Sequence, residues 1–180
     1  MEQLIPILVA VVALVLLAFG VFALLARFYR QVDQGKALIV NTLKSDPLVT
    51  FTGAIVYPII HRAEVMNILV KTIEIDRRGK EGLICKDNIR ADIVVAFYIR
   101  VEATEESVRK VAQMLGPERV SDQEQLRELF EAKFSEALKT AGKQMEFHEL
   151  FTERIKFRDQ IQGTIGKDLD GFLLQDVAID

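Results

Sequence analysis

Residues 4–26 read LIPILVAVVALVLLAFGVFALLA, a run without one charged side chain, and Arg27 and Arg30 follow it closely. At about 1.5 Å of rise per residue the run makes roughly 34 Å of helix, enough to cross a hydrocarbon core of about 30 Å. Leu4, Ile5, Leu8, Leu14, Leu17, Phe19, Phe22 and Leu25 are expected to face lipid, with Arg27 and Arg30 reaching the headgroups. A cleaved signal peptide fits less well. The segment ahead of the run carries Glu2 and no Lys or Arg, the apolar stretch exceeds the usual h-region, and Leu24 stands where a small residue should precede Ala26. The remaining chain is too polar to span a bilayer, so the sequence predicts one anchor, residues 1–26, and an attached domain. Basic residues flank the run on its C-terminal side only, at Arg27, Arg30, Lys36 and Lys44. By the positive-inside rule residues 27–180 are then cytoplasmic.

The 180 residues carry a formal net charge of −3 with no Lys/Arg-dense stretch, which argues against a nucleic-acid partner. Cys85 is the single cysteine, so no internal disulfide or cysteine-built metal site can form, and a buried or half-buried inert thiol is expected. The phosphate-loop, dinucleotide and nucleophile-elbow patterns are absent. His148-Glu149 opens HELFT, but Thr152 stands where a zincin needs its second histidine. His61 and His148, the two histidines, read as packed side chains. No catalytic, metal-binding or cofactor-binding residue is assigned, and the chain does not read as an enzyme.

Beyond the anchor the pattern turns to strands. KALIVNTL (36–43) and LVTF (48–51) are separated by the turn formers Ser45-Asp46-Pro47. EVMNILVKTIEI (64–75) reads as one alternating strand, and Gly79 and Gly82 suit a turn after it. DIVVAFYIRV (92–101) is apolar on both faces, as in a strand covered on both sides. Thr104 caps a helix running to Leu115, which Gly116-Pro117 ends. Ser121-x-x-Glu124 has capping-box spacing ahead of the stripe Leu126, Leu129, Phe130, Phe134, Ala137, Leu138 and Ala141, which stops at Gly142. A further helix carries Leu150, Phe157, Ile161, Ile165 and Leu169, and its Gly163 and Gly166 read as close-packing positions. LLQDVAI (173–179) closes the chain as a strand. The order anchor–β–β–β–β–α–α–α–β predicts an α+β domain that divides near residues 88–92. Asp180 follows directly on a strand, which reads as part of a longer protein.

FTGAIVYPII (51–60) belongs cleanly to neither core nor ordinary loop. Ten residues are too few to span, and Pro58 disfavours a central strand. It reads either as an edge strand with a buried loop, or as an apolar rim dipping into the interfacial layer. On the second reading Phe51, Ile55, Val56, Tyr57, Ile59 and Ile60 form a second membrane contact, with His61, Arg62 and Lys71 near lipid phosphates.

The segments QGKALIV, TGAIVYPIIHRAEVMNI, EGLICKDNIRADIVVAFYIRV, RELFEAKFSEALKTAGKQ and LLQDVAID resemble the SPFH (band 7, prohibitin-homology) domain of flotillins, in the form found in bacterial inner-membrane proteins. EGLICKDNIRADIVV and FSEALKTAGKQ are the most specific blocks. The resemblance implies a single transmembrane helix followed by two α/β subdomains with antiparallel or mixed sheets, here 27–90 near the membrane and 91–180 beyond it. It implies a scaffold without catalysis that assembles into large homo-oligomeric rings or cages enclosing a lipid and protein microdomain of the inner membrane. A downstream coiled coil is expected and is absent from this sequence. The implied partners are membrane lipids, other copies of the chain, and either an NfeD-like membrane protein or a membrane protease. A ring needs two complementary faces. The alternating charges at Arg77, Arg78, Lys80, Glu81, Asp87 and Arg90 are the expected oligomer interface, with solvated surface as the plainer alternative.

Overall fold

The computed structural model describes residues 4–42, 46–166 and 169–180, with the side chains of residues 4–10, 24 and 25 outside the description. It divides into two compact units, Met1–Gln34 with Leu38–Glu64, and Gly35–Ala37 with Val65–Asp180. The architecture is mixed α and β, as expected, with an N-terminal apolar helix and antiparallel sheets.

In the first unit the apolar run forms α1 (Leu4–Phe28), which passes without a loop into β1 (Tyr29–Gln31). β1 pairs antiparallel with β4 (Gly53–Ile55), Tyr29 opposite Ile55 and Gln31 opposite Gly53. Gly53 is required there, because a Cβ would sit 2.7 Å from the Arg30 carbonyl oxygen. A second sheet runs in the order β3 (Leu48–Thr50), β2 (Lys36–Asn41), β5 (Arg62–Asn67), with Ile39 opposite Val49. Leu38, Val40 and Val56 form a small core to which Val32, Ala54 and Ala63 add partly buried surface.

In the second unit β6 (Lys71–Arg77), β9 (Ile93–Val101) and β10 (Phe172–Ile179) form an antiparallel sheet with β9 in the middle. β7 (Leu83–Ile84) and β8 (Arg90–Ala91) make a short hairpin. The helices are α2 (Glu105–Leu115), α3 (Pro117–Ser121), α4 (Gln123–Gly142), α5 (Phe147–Thr152) and α6 (Arg154–Ile165). Phe134 of α4 stacks on Phe97 of β9 at 4.3 Å and on Phe130 at 5.3 Å, and Phe130 meets the edge of Phe172 from β10. Those rings join sheet and helix in one core, in the offset geometry aromatic quadrupoles favour. Thr104 caps α2 as expected, accepting from the Ser107 amide at 3.2 Å.

Several expectations are corrected. The strand read over 64–75 is broken at 68–70. There the Asn67 side chain accepts from the Leu69 amide at 2.9 Å, a local turn bond that outweighs the apolar alternation. A boundary near residue 90 would cut the sheet that joins β6 to β9, and the compact units divide near Glu64 instead. β9 is fully buried at alternate positions only, with Val94, Ala96, Tyr98 and Arg100 half-buried. The cap of α4 is Asp122, which accepts from the Glu124 amide at 3.0 Å, while Ser121 ends α3 and bonds to Pro117. The helix read through Leu150 and Ile165 breaks at Glu153 into α5 and α6. Gly163 and Gly166 have nothing within 4 Å of an added Cβ, and Gly166 instead ends α6 at φ +80°. Among the described helix residues the close-packed glycine is Gly142, where a Cβ would meet Leu83 at 2.7 Å. The turn expected at Ser45-Asp46-Pro47 begins outside the described residues.

Candidate functional site

The candidate site starts where α1 ends. Leu14, Leu17, Phe19 and Phe22 are each 70 % exposed, so these apolar side chains have no protein cover. The side chains of Leu4, Ile5, Leu8 and Leu25 lie outside the described residues. Over Val11–Phe28 the helix is long and apolar enough to cross a membrane, by length and composition. Arg27 and Arg30 are exposed at its C-terminal end.

Segment 51–61 is built onto that end. The Val56 amide donates to the Phe28 carbonyl at 2.9 Å, and the Val32 amide to the Thr52 carbonyl at 3.0 Å, extending the β1–β4 ladder on both sides. After Pro58 the chain turns tightly, with the Ile60 and His61 amides both donating to the Tyr57 carbonyl, at 3.1 and 2.8 Å. The Tyr57 ring lies 5.8 Å from Phe28 and 5.5 Å from His61, and the Tyr57 amide donates to His61 Nδ1 at 3.4 Å. Ile59 is 95 % exposed, Ile55, Tyr57 and Ile60 are exposed, and Phe51 is half-buried. Val56 does not belong with them. It is 8 % exposed in the core with Leu38 and Val40, because the side chain after an outward Ile55 points inward on an extended chain. The segment therefore combines both readings, an edge strand at 53–55 and an exposed apolar turn at 57–60.

Of the basic residues placed near this rim by sequence, His61 and Arg62 are there, Arg62 with Nε 2.8 Å from Glu64. Lys71 is in the other unit, donating to the Ser121 carbonyl, with burial lowering its pKa against the opposing pull of Asp122. A hollow of about 420 Å³ is lined by Arg27, Phe28, Arg30, Val56, Pro58, His61, Arg62 and Ala63. The sequence reading missed this hollow. Its signal is the aromatic pair Phe28-Tyr29 directly after the apolar run, where interfacial aromatics concentrate.

The charged run of the second unit is less free than its sequence suggests. Arg77 is mostly buried, its guanidinium donating to Ser135 Oγ and to Glu81 at 3.3 Å. It is thus a tether between β6 and α4, not an open interface charge. Arg78 forks onto Asp76, which holds that carboxyl below its usual range. Asp87 accepts from the Ile89 and Phe147 amides at 3.2 and 3.1 Å, and Arg90 donates to the Lys80 carbonyl at 2.6 Å. Lys80, Glu81 and Arg90 join Arg77, Lys139 and Lys143 around a cleft of about 220 Å³, with five cations against one carboxylate. Sequence alternation concealed that clustering. Lys139 comes from α4 and Lys143 directly follows it, and both meet the turn only in three dimensions.

Cys85 is buried as expected, and burial, aided by the Asp87 charge, pushes its thiol pKa up. His148 is exposed on α5 and not packed. Among the described residues no group of three or more His, Cys, Asp or Glu is placed to hold a metal.

The family model described as SPFH domain / Band 7 family matches residues 20–180. The flotillin family inner membrane protein YqiK of Escherichia coli is 36 % identical over 172 residues, covering 94 % of this chain and 31 % of that protein. The flotillin family inner membrane protein sll1021 of Synechocystis is 24 % identical over 176 residues, covering 95 % of this chain and 26 % of its own. The chain spans about a third or less of the length of these relatives. With an apolar helix leading into paired antiparallel strands, and a family match over nearly its whole length, the chain belongs to the SPFH domain / Band 7 family.

Proposed function

We propose that this chain is the membrane-anchored head of a non-catalytic scaffold, which assembles side by side into a large ring and organises a patch of lipid and protein. The observation that carries the reading is the junction of α1 with β1, whose partner β4 leads into the exposed turn 57–60. Anchor and apolar rim are thereby one piece, suited to hold a domain flat on a bilayer. The names of both relatives, flotillin family inner membrane proteins, support the location. Single-pass topology with the domain in the cytoplasm follows from Arg27, Arg30 and Lys36 on one flank. The cationic cleft of the second unit is a candidate for self-contact, because copies anchored side by side are concentrated enough for weak contacts to count.

Imaging of the chain, within its full-length protein, in nanodiscs tests the reading. Particles of many copies in closed rings are expected. A small complex of fixed stoichiometry with a membrane protease or an NfeD-like protein would replace the scaffold by a regulatory binding module. An exported-phosphatase reporter fused after Asp180 should be silent, and activity there would overturn the cytoplasmic orientation.

A further inference from the structure

We infer that the hollow at the end of α1 is a binding site for the phosphodiester headgroup of an anionic phospholipid. The inference rests on the proposed membrane contact and names its ligand. The lining divides into two chemistries. Arg27, Arg30 and Arg62 supply guanidiniums, and Phe28, Val56, Pro58 and Ala63 supply an apolar wall. A headgroup with its glycerol needs that combination, a fork of N–H donors for phosphate oxygens beside a surface for carbon.

The charges are available. Arg62 shares its Nε with Glu64, but among the described residues no acidic side chain pairs with Arg27 or Arg30. His61 is held in place by ring contact with Tyr57 and by the Tyr57 amide on Nδ1. Its neutral form therefore carries the proton on Nε2, a further donor that is not needed by the fold. The volume, about 420 Å³, falls within the range of small-ligand pockets.

Position selects the source of the phosphate. Arg27 lies in the last turn of an apolar helix and Arg30 one strand residue beyond Tyr29, which is headgroup depth for a helix that spans. The phosphate concentration in that layer exceeds any in bulk solution. A zwitterionic headgroup brings a choline cation to the same arginines, so phosphatidylglycerol should be preferred over phosphatidylcholine.

The test reconstitutes the chain with its anchor in nanodiscs of mixed phosphatidylglycerol and phosphatidylcholine, then extracts it in mild detergent and counts retained lipids by native mass spectrometry. Wild type should retain phosphatidylglycerol preferentially, and Arg27→Gln with Arg30→Gln should reduce retention about tenfold. His61→Ala leaves the basic flank that orients the helix untouched, and should reduce retention several-fold. Equal retention by wild type and both variants overturns the site. Displacement of the lipid by excess inorganic phosphate would assign the site to a soluble phosphate and overturn the lipid. The rim is read separately, through a fluorophore on Ile59→Cys and its quenching by lipid-borne quenchers in phosphatidylcholine alone. Loss of quenching there would remove the apolar contact without touching the headgroup result.

Discussion

The amide of Val56 donates to the carbonyl of Phe28 at 2.9 Å, so the last residue of the apolar helix α1 is bonded to the segment that carries the apolar turn. Within four residues of this bond the chain separates core from surface. Val56 is buried with Leu38 and Val40, while Tyr57, Ile59 and Ile60 are exposed.

That separation predicts two classes of variant. Ile59→Ser with Ile60→Ser should leave folding stability within about 0.5 kcal/mol, since neither side chain is buried in the protein. Val56→Ser should cost about 1–3 kcal/mol by losing buried apolar surface and placing a hydroxyl in the core. Chemical denaturation of both in the same detergent compares them. Equal loss in the two would mean that the turn is core after all.

Two glycines in helices should respond with opposite signs. Gly163 lies exposed inside α6 with open space around it, so Gly163→Ala should stabilise by about 0.5–1 kcal/mol through helix propensity and reduced unfolded-state entropy. At Gly142 the added methyl meets the buried Leu83, and the overpacking cost of about 1–3 kcal/mol exceeds that gain. Urea midpoints should move up for the first and down for the second. A shift upward in both would show that Leu83 can step aside.

Burial raises the Cys85 thiol pKa, so the folded chain holds that proton more tightly than the unfolded one. Its contribution to stability is present below the unfolded thiol's pKa and is lost as pH rises toward the folded value. Native Cys85 should resist iodoacetamide at neutral pH and label readily in urea. Fast labelling without denaturant would place the thiol at the surface. The same inertness leaves an introduced cysteine as the only reactive one.

Charge reversal separates tether from surface. Arg77→Glu should destabilise the second unit by about 2–4 kcal/mol, because it leaves Ser135 without its donor and sets a carboxylate beside Glu81. Lys80→Glu with Lys143→Glu should leave folding unchanged and, if the cleft joins copies, shift large particles to small ones. Rings of unchanged size in that variant would reduce the cleft to solvated charge.

Long and strongly periodic elements were legible in the sequence. The apolar run of α1, the stripe of α4 and the strand β9 each extend over enough residues for their period to dominate. β1 and β4 were not, being three residues each, too short for alternation and paired across more than twenty positions. The break at 68–70 was hidden because apolar residues continue through it and a side-chain bond decides it, and the break at Glu153 was hidden because the dihedrals of one residue decide it. The site residues were legible one by one, as exposed arginines or apolar side chains. Their grouping was not, since Arg27 and Arg30 meet His61 and Arg62 only through the β1–β4 pairing.

The loopless passage from α1 to β1 has a mechanical consequence. A flexible linker would let an anchor tilt while its domain stayed level. Here 25 helical residues, about 37 Å long, are followed directly by a strand, with the Phe28 carbonyl held by the Val56 amide, so under the proposed anchoring helix tilt would pass to the strand pair. A hydrocarbon core of about 30 Å leaves that helix an excess to absorb, and thinner bilayers demand more tilt than thicker ones. On the proposed membrane reading each change of tilt swings Tyr57 and Ile59 relative to the lipid surface, so local bilayer thickness would set the attitude of the β1–β4 pair.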